Sequence, residues 1–405
     1  MDPKFCQTTI SVLGLNMWGV PNSTDRVDRR QAIADILETN AAGYDVACLQ
    51  ECYVASDARC LIEAGKRGNL GFAHVFRNGA GCWGSRSPGL VVLSRFPITR
   101  ARLCRFACSG KVHKLWQMDG IHHKAIGLAV LDCGDMGSVC VYVTHFVAVY
   151  RVGPVADEYY AQRLMQAREA ARFITDTSAD ASLVVVCGDL NAEPSHATYK
   201  HLVAASGLAD TVTPCDTTLA TYARRGNPYV ADDPARLDYV LWRSTHPVGA
   251  WRVTNAGIDA ATDERAVSDH AGVFARFTLA RGHPAPAVRL QHEPCIARGH
   301  NLHLMSALKS AIAECGARTD KHKVLTVSAW VFAFCVYPYA PWLAPLAVAL
   351  GAAHFVIYGV FCGEEMSGLV QAHNELAIQL GCEQCLEDDM GDAFEFACVV
   401  LAMGS

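Results

Sequence analysis

Hydrophobic positions fall into short runs along the first two thirds of the chain. Thr9–Leu15, Asp45–Leu49, Gly89–Leu93, Ala125–Leu131, Val139–Thr144, Leu183–Cys187, Leu237–Trp242 and Gly272–Phe277 are apolar at most positions, which predicts strands. Leu183–Cys187 is apolar throughout, as a strand covered on both faces must be. Between these runs the period changes. Val27–Leu37 places Ala32, Ile33, Ile36 and Leu37 on one helical face, and Asp157–Thr175 repeats Tyr160, Leu164, Ala167, Ala171 and Ile174 at helical spacing. Such a mixture predicts stacked layers of sheet and helix around a core. The pattern ends near Leu279. Arg281–Ala287, with Gly282, Pro284 and Pro286, reads as a linker, and Leu302–Ala313 as an amphipathic helix beyond it.

The pattern then changes character. Residues 324–363 contain no Asp, Glu, Lys or Arg, and Pro338, Pro341 and Pro345 fall near their middle. A membrane-spanning helix needs about 20 apolar residues, so this stretch predicts two spans joined by a tight turn, Val324–Tyr337 and Trp342–Cys362. The first is short and need not cross fully. Lys309, Arg318, Lys321 and Lys323 precede the pair, which places both flanks in the cytosol by the positive-inside tendency and offers a basic flank for an anionic lipid activator. The organisation expected is 1–280 catalytic, 281–323 linker and amphipathic segment, 324–363 two transmembrane helices and 364–405 a tail.

Composition adjusts this picture in two places. Apolar residues make up 51% and charged residues 19%, an excess concentrated in the apolar stretch. A net charge of −5 gives no general attraction to nucleic acid. The 18 cysteines sit mostly singly inside apolar runs, as Cys48, Cys140 and Cys187 do, where a free thiol behaves as a small hydrophobe. With no signal-peptide pattern over Met1–Trp18, the catalytic part is expected in a reducing compartment, the cytosolic side of the endoplasmic reticulum or another internal membrane. Cys362 at the membrane edge is a candidate for acylation. Cys382 and Cys385 have the spacing of a metal pair but lack two further ligands.

Candidate chemistry gathers where the strands end. Asn16 and Glu51 follow the first two runs, His145 follows Val139–Thr144, and Asp189 and Asn191 follow Leu183–Cys187. Asp238 opens Leu237–Trp242, and Asp269 and His270 precede the last strand. Ligands collect at such strand ends. Carboxylate and amide oxygens suit a hard Mg²⁺ ion, and two histidines beside it can serve as acid and base. Each residue alone also fits a turn, a surface acid or a satisfied histidine; the set is what carries the argument.

Leu15-Asn16-Met17-Trp18-Gly19, Gln50-Glu51, Thr144-His145, Gly188-Asp189-Leu190-Asn191, Asp238-Tyr239-Val240 and Ser268-Asp269-His270 together resemble the endonuclease/exonuclease/phosphatase superfamily. Asn16-Met17-Trp18-Gly19, Lys124-Ala125-Ile126-Gly127-Leu128 and the C-terminal apolar pair resemble its neutral sphingomyelinases and inositol-phosphosphingolipid phospholipases C. The resemblance implies a four-layer α/β sandwich and Mg²⁺-dependent cleavage of a membrane phosphosphingolipid, sphingomyelin or inositol phosphoceramide, to ceramide and phosphorylated headgroup. It implies Glu51 as the main Mg²⁺ ligand, supported by Asn16. Asp189 and Asn191 would orient water and phosphate, with His270 as general base and Asp269 holding it or the metal. His145 would contact the phosphate or aid departure of the ceramide oxygen, and Asp238 would orient a histidine. The acid and base labels are exchangeable at this stage. Asp119 and Lys124 have the spacing of a conformational switch in animal relatives, or are a loop acid and a phosphate-binding lysine. One departure is Val147, where many relatives carry a second histidine. The alternatives are a phosphatase or nuclease of the same fold and an inactive lipid-binding scaffold.

Overall fold

Strands that are apolar on both sides need cover on both sides, and two stacked sheets supply it. The computed structural model describes residues 8–77, 87–111, 117, 119, 123–150, 157–212, 219–245, 249–281, 294–357 and 362–380. One six-stranded sheet runs in the order β11 (Gly249–Ile258), β12 (Val273–Arg281), β1 (Thr9–Asn16), β2 (Val46–Gln50), β4 (Val91–Ser94), β3 (Phe72–Val75). The other runs β5 (Ile98–Arg105), β6 (Ala125–Asp132), β7 (Ser138–His145), β8 (Leu183–Asp189), β10 (Asp238–Ser244), β9 (Ala209–Asp210).

Strand alternation sorts the side chains into layers. In β1, Ile10 and Val12 enter the core between the sheets, whereas Leu13 and Leu15 face α1 (Arg26–Thr39) and α2 (Ala55–Arg67). In β8, Leu183, Val185 and Cys187 point between the sheets. Val184 and Val186 pack against α3 (Tyr160–Thr177) and α4 (Ala197–Ser206). The result is the expected helix–sheet–sheet–helix stack. A short helix, α5 (Ala260–Glu264), leads back into β12.

The C-terminal part differs from the expected layout. Leu302–Ala313 and the first apolar segment belong to one continuous helix, α6 (Pro294–Val336). No proline lies between Pro294 and Pro338, so nothing breaks the helix at the change of composition. The chain turns through Pro338 and Pro341 into α7 (Ala344–Val356), and α8 (Gly363–Leu380) returns along α6. Leu304 and Leu308 of α6 and Leu369 and Leu376 of α8 pack with Cys108, Leu164 and Met165 of the α/β body. Past that contact the α6–α7 hairpin carries exposed Phe334, Tyr339 and Trp342, at 84, 89 and 75% exposure. Among the described residues no helix is long and apolar enough to cross a membrane. Asp320, Lys321 and Lys323 cut short the apolar run of α6, and α7 is about 20 Å long against a hydrocarbon core of about 30 Å. Cys362 is buried beside Cys315, whose Sγ lies 3.5 Å from the Cys362 carbonyl, so its thiol is not offered for acylation as the sequence suggested. Cys382 and Cys385, and all of the linker Arg281–Ala287 except Arg281, lie outside the described residues.

Register decides what the strand ends present. β7 and β8 are parallel, pairing Thr144 with Gly188 and His145 with Asp189; β10 runs antiparallel to β8 and pairs Asp238 with Asp189. A Cβ on Gly188 would meet the Thr144 carbonyl oxygen at 2.5 Å, backbone that cannot yield without separating the strands. Gly188→Ala is therefore expected to cost about 1–3 kcal/mol, the range of an overpacked core. Thermal unfolding should show the loss, with the α/β far-ultraviolet signal retained.

Candidate active site

β1, β2, β7 and β8 end, and β10 begins, on one edge of the two-sheet stack, and the polar side chains converge there. Asp189 stands at the centre. Its Oδ2 accepts a hydrogen bond from Asn16 Nδ2 at 3.0 Å and lies 3.6 Å from His145 Nε2 and 3.7 Å from His270 Nε2. Its Oδ1 accepts from the Asn191 backbone N–H at 2.9 Å. Asn16 Nδ2 also donates to Glu51 Oε1 at 3.0 Å, and Glu51 lies 3.8 Å from His145 Nε2. His270 Nδ1 is 2.7 Å from Asp238 Oδ2, a carboxylate–imidazole pair that fixes the ring. Seven of the residues anticipated from sequence therefore meet, six by their side chains and Asn191 through its backbone N–H. The Asn191 side chain reaches the Phe146 carbonyl instead. Asp269 stands at the edge, accepting from Ser268 Oγ at 3.0 Å and acting on Glu51 and His270 through its charge.

Asp119 and Lys124 form an ion pair at 2.9 Å one step further out. Lys124 Nζ lies 3.0 and 3.1 Å from the two ring nitrogens of His145. The other Asp119 oxygen accepts from the Ala148 N–H and the Tyr150 hydroxyl. Val147 is buried and gives its N–H to Gln166 Oε1, so no second imidazole enters here.

Burial and charge push the titratable groups apart. Burial raises Glu51 to about 7, with Lys124 opposing and Asp269 adding to the rise. Burial and the adjacent Asp238 raise Asp189 to about 6. Burial, then Lys124 and His270, hold His145 well below the ordinary imidazole value, so it is neutral. For His270 burial acts downward, but Asp238, Asp189 and Asp269 outweigh it and hold the ring well above 6.5. A neutral and a charged histidine on either side of one carboxylate is an acid–base arrangement.

The donor set fits a divalent cation. A half-buried and a buried carboxylate share one amide, both with raised pKa, and Asp238 Oδ1 is buried without a hydrogen-bond partner. Glu51 is the more open of the two, its side chain 15% exposed against 1% for Asp189. Atoms of Asp189, Asp238 and His270 also lie within 4.8 Å of one another. His270 Nδ1 and Asp238 Oδ2 already satisfy each other, which points to a dyad and leaves Glu51 as the oxygen ligand facing the opening.

Several supporting residues had no clear sequence signal. Arg29 reads as the polar side of α1, yet it is buried. Its guanidinium donates to the carbonyls of Met17, Trp18 and Thr24 and to Ser23 Oγ, and lies 4.5 Å from the Trp18 ring centre. It thereby pins the turn whose Trp18 N–H holds Asn16 Oδ1 at 3.0 Å. A Cβ on Gly19 would meet the Glu51 carbonyl oxygen at 2.3 Å. Thr221 Oγ1 accepts the N–H groups of Leu237 and Asp238, and the Tyr222 ring packs 4.9 Å from that of His270. Gly19 closes the Asn16–Gly19 string and is legible in sequence; the others need the fold.

Comparison with known proteins places the chain in a family and matches its fold. The Endonuclease/Exonuclease/phosphatase family profile matches residues 13–270. A Drosophila melanogaster protein named as a neutral sphingomyelinase is 30% identical over 291 residues, covering 68% of this chain and 62% of the relative. The chain thus spans under two thirds of that relative's length. Sphingomyelin phosphodiesterase 2 of Rattus norvegicus is 32% identical over 340 residues, covering 79% of this chain and 74% of the relative. The crystal structure of SmcL superposes with a TM-score of 0.50 at 18% identity, over 67% of this chain and 99% of that one, a likeness of fold.

Raised acids bind protons more tightly in the folded state, so without metal their contribution to stability declines as pH rises. The decline runs from the ordinary carboxylate range through about 6 for Asp189 and about 7 for Glu51; His270, also raised, acts in the same direction above 6.5. A cation competes with those protons. Millimolar Mg²⁺ is expected to raise the melting midpoint by about 5 °C at pH 7.5 and less than half as much at pH 5.5. Glu51→Gln should remove the shift, as differential scanning fluorimetry would show.

Proposed function

The chain belongs to the endonuclease/exonuclease/phosphatase family, and from that premise we propose that it hydrolyses a membrane phosphosphingolipid, sphingomyelin or inositol phosphoceramide, to ceramide and a phosphorylated headgroup. The observation that carries the reading is the single Asp189 oxygen bounded by Asn16, His145 and His270, with Glu51 sharing the same amide. That arrangement favours a working site over an inactive lipid-binding scaffold.

A bound Mg²⁺ supplies Lewis-acid stabilisation of charge on the phosphoryl oxygens. Glu51 holds it. Asn16 fixes Glu51 and Asp189 relative to each other. His270, oriented by Asp238, takes the proton of the attacking water. Asp189 and Asn191 orient water and phosphate. His145, neutral and backed by Lys124, contacts the phosphate or assists the leaving ceramide oxygen. Asp119 holds Lys124 in that position.

A lipid substrate stays in the bilayer, and the exposed apolar surface of the α6–α7 hairpin supports an anchor beside it. We take the hairpin as membrane-embedded, with the catalytic body on the cytosolic face of an internal membrane. Lys309, Arg318, Lys321 and Lys323 flank the apolar part of α6 and offer an anionic lipid activator its contacts.

Detergent-purified full-length protein with Mg²⁺ should cleave sphingomyelin or inositol phosphoceramide in mixed micelles, with lyso-phosphatidylcholine assayed in parallel; cleavage of the lyso-lipid alone would refute the sphingolipid reading. His270→Ala should lower turnover about 10²–10⁴-fold, and Glu51→Ala at least about 10²-fold. Phosphate release from soluble inositol phosphates with no lipid cleaved would favour a phosphatase and refute the proposal.

A further inference from the structure

His270 and Asp238 come from different sheets. Asp238 opens β10 of the second sheet, and His270 lies just ahead of β12 of the first. Neither ladder spans that gap, yet Nδ1 and Oδ2 stand 2.7 Å apart. The strip formed by Thr221, Tyr222 and Ala223 crosses it. Tyr222 makes one antiparallel bridge to Ala235, which leads into β10, and another to His270. The Tyr222 N–H donates to the Ala235 carbonyl at 2.9 Å, and the Ala235 N–H returns to the Tyr222 carbonyl at 3.1 Å. On the other side the Ala271 N–H donates to the Thr221 carbonyl at 2.8 Å, and the Ala223 N–H to the Asp269 carbonyl at 3.2 Å.

The side chains of the strip tighten this stitch. Thr221 Oγ1 accepts the N–H groups of Leu237 and Asp238, both at 3.0 Å. β9 pairs with Leu241 and Trp242, so these two N–H groups lie ahead of that pairing and take their acceptor from Thr221. A hydroxyl oxygen has two lone pairs, and both serve the strand end here. Thr221 is fully buried, and a β-branched side chain has little freedom at χ1, so the oxygen is held in place. The Tyr222 ring lies against the His270 imidazole, centres 4.9 Å apart, while its hydroxyl donates outward to Asp232. Arg224 donates to Asp263 of α5 at 2.7 Å and to the Ala220 carbonyl at 2.8 Å, which fastens the strip from behind.

We propose that Thr221 is a positioning residue of the His270–Asp238 dyad: its hydroxyl holds Asp238 from one sheet, its carbonyl holds the segment bearing His270 from the other, and Tyr222 covers the imidazole between them. Both residues act through the dyad. Without the Thr221 hydroxyl, two buried N–H groups lose their acceptor and the start of β10 shifts to find another. The Asp238 carboxylate then leaves Nδ1, and the ring is free to turn Nε2 away from Asp189.

The test uses full-length protein in detergent micelles with metal removed by a chelator. Nuclear magnetic resonance follows the His270 Nδ1–H proton, identified by its loss in His270→Asn, and requires no activity. Thr221→Val should speed the exchange of that proton with water about tenfold, and Thr221→Ser, which keeps the hydroxyl, should preserve its protection. Tyr222→Ala should also expose the proton while Tyr222→Phe keeps it covered; this pair decides the matter if Thr221→Val does not fold. On the lipid-hydrolase reading, Thr221→Val should lower kcat about 10–10²-fold with KM unchanged and add little in an Asp238→Asn background. Unchanged exchange in Thr221→Val and Tyr222→Ala, with only a lowered melting midpoint, would reduce the strip to scaffolding and overturn the proposal. So would a wild type without the protected proton, or an equal kcat loss with and without Asp238. A wild type that cleaves no lipid would refute the function above, while the proton exchange still decides this inference.

Discussion

Four carboxylates, those of Glu51, Asp189, Asp238 and Asp269, are gathered at one edge of two stacked sheets, and the structure around them is organised by the cost of that gathering. Removing a carboxylate from water is expensive unless opposite charge or hydrogen bonds replace the water. Asn16 donates to two of the four, His270 pairs with a third, and Ser268 serves the fourth. What remains uncompensated appears as the raised pKa values of Glu51 and Asp189 and as the unpartnered Asp238 Oδ1. A divalent cation held there would make up that deficit.

Keeping the carboxylates together also strains the chain. Trp18, Glu51 and Asn191 all have positive φ, at 48°, 58° and 45°, a region that non-glycine residues rarely enter. Each directly follows or lies within two residues of a strand end, and each has a brace: Arg29 and Gly19 for the first two, the Asp189 carboxylate and the Phe146 carbonyl for the third. Strain of this kind persists only where surrounding structure over-determines it. The glycines at 19 and 188 serve the same end, since in both places a backbone oxygen occupies the room a side chain would need.

The site was legible in sequence because its residues terminate strands buried on both faces. Such strands read as continuous apolar runs with sharp ends, and Asn16, Glu51, His145 and Asp189 lie at or just past those ends. Other elements have weaker contrast in the sequence. β5 alternates Thr, Arg and Cys along an edge, and β11 mixes Thr, Asn and Gly, so neither shows an apolar run. α2 carries polar residues on much of its surface, and Arg29 looks like any solvent-facing arginine until Trp18 and Ser23 are seen to enclose it. The continuity of α6 was hidden by composition: a change from charged to apolar residues at Lys323 suggests a boundary, but helical hydrogen bonding does not depend on it.

That continuity bears on the anchoring proposed above. A flexible tether raises the local concentration of an enzyme at a surface but leaves its orientation free. Here the helix whose distal half bears exposed Phe334 also packs, through Leu304 and Leu308, against Leu164 and Met165 of the α/β body. α3, which supplies that surface, also supplies Gln166 to the backbone beside His145. The packing of α6 on α3 therefore joins the apolar hairpin to the strand ends that carry the candidate site. For a substrate confined to a plane, fixed orientation removes rotational freedom that would otherwise be lost in reaching the transition state.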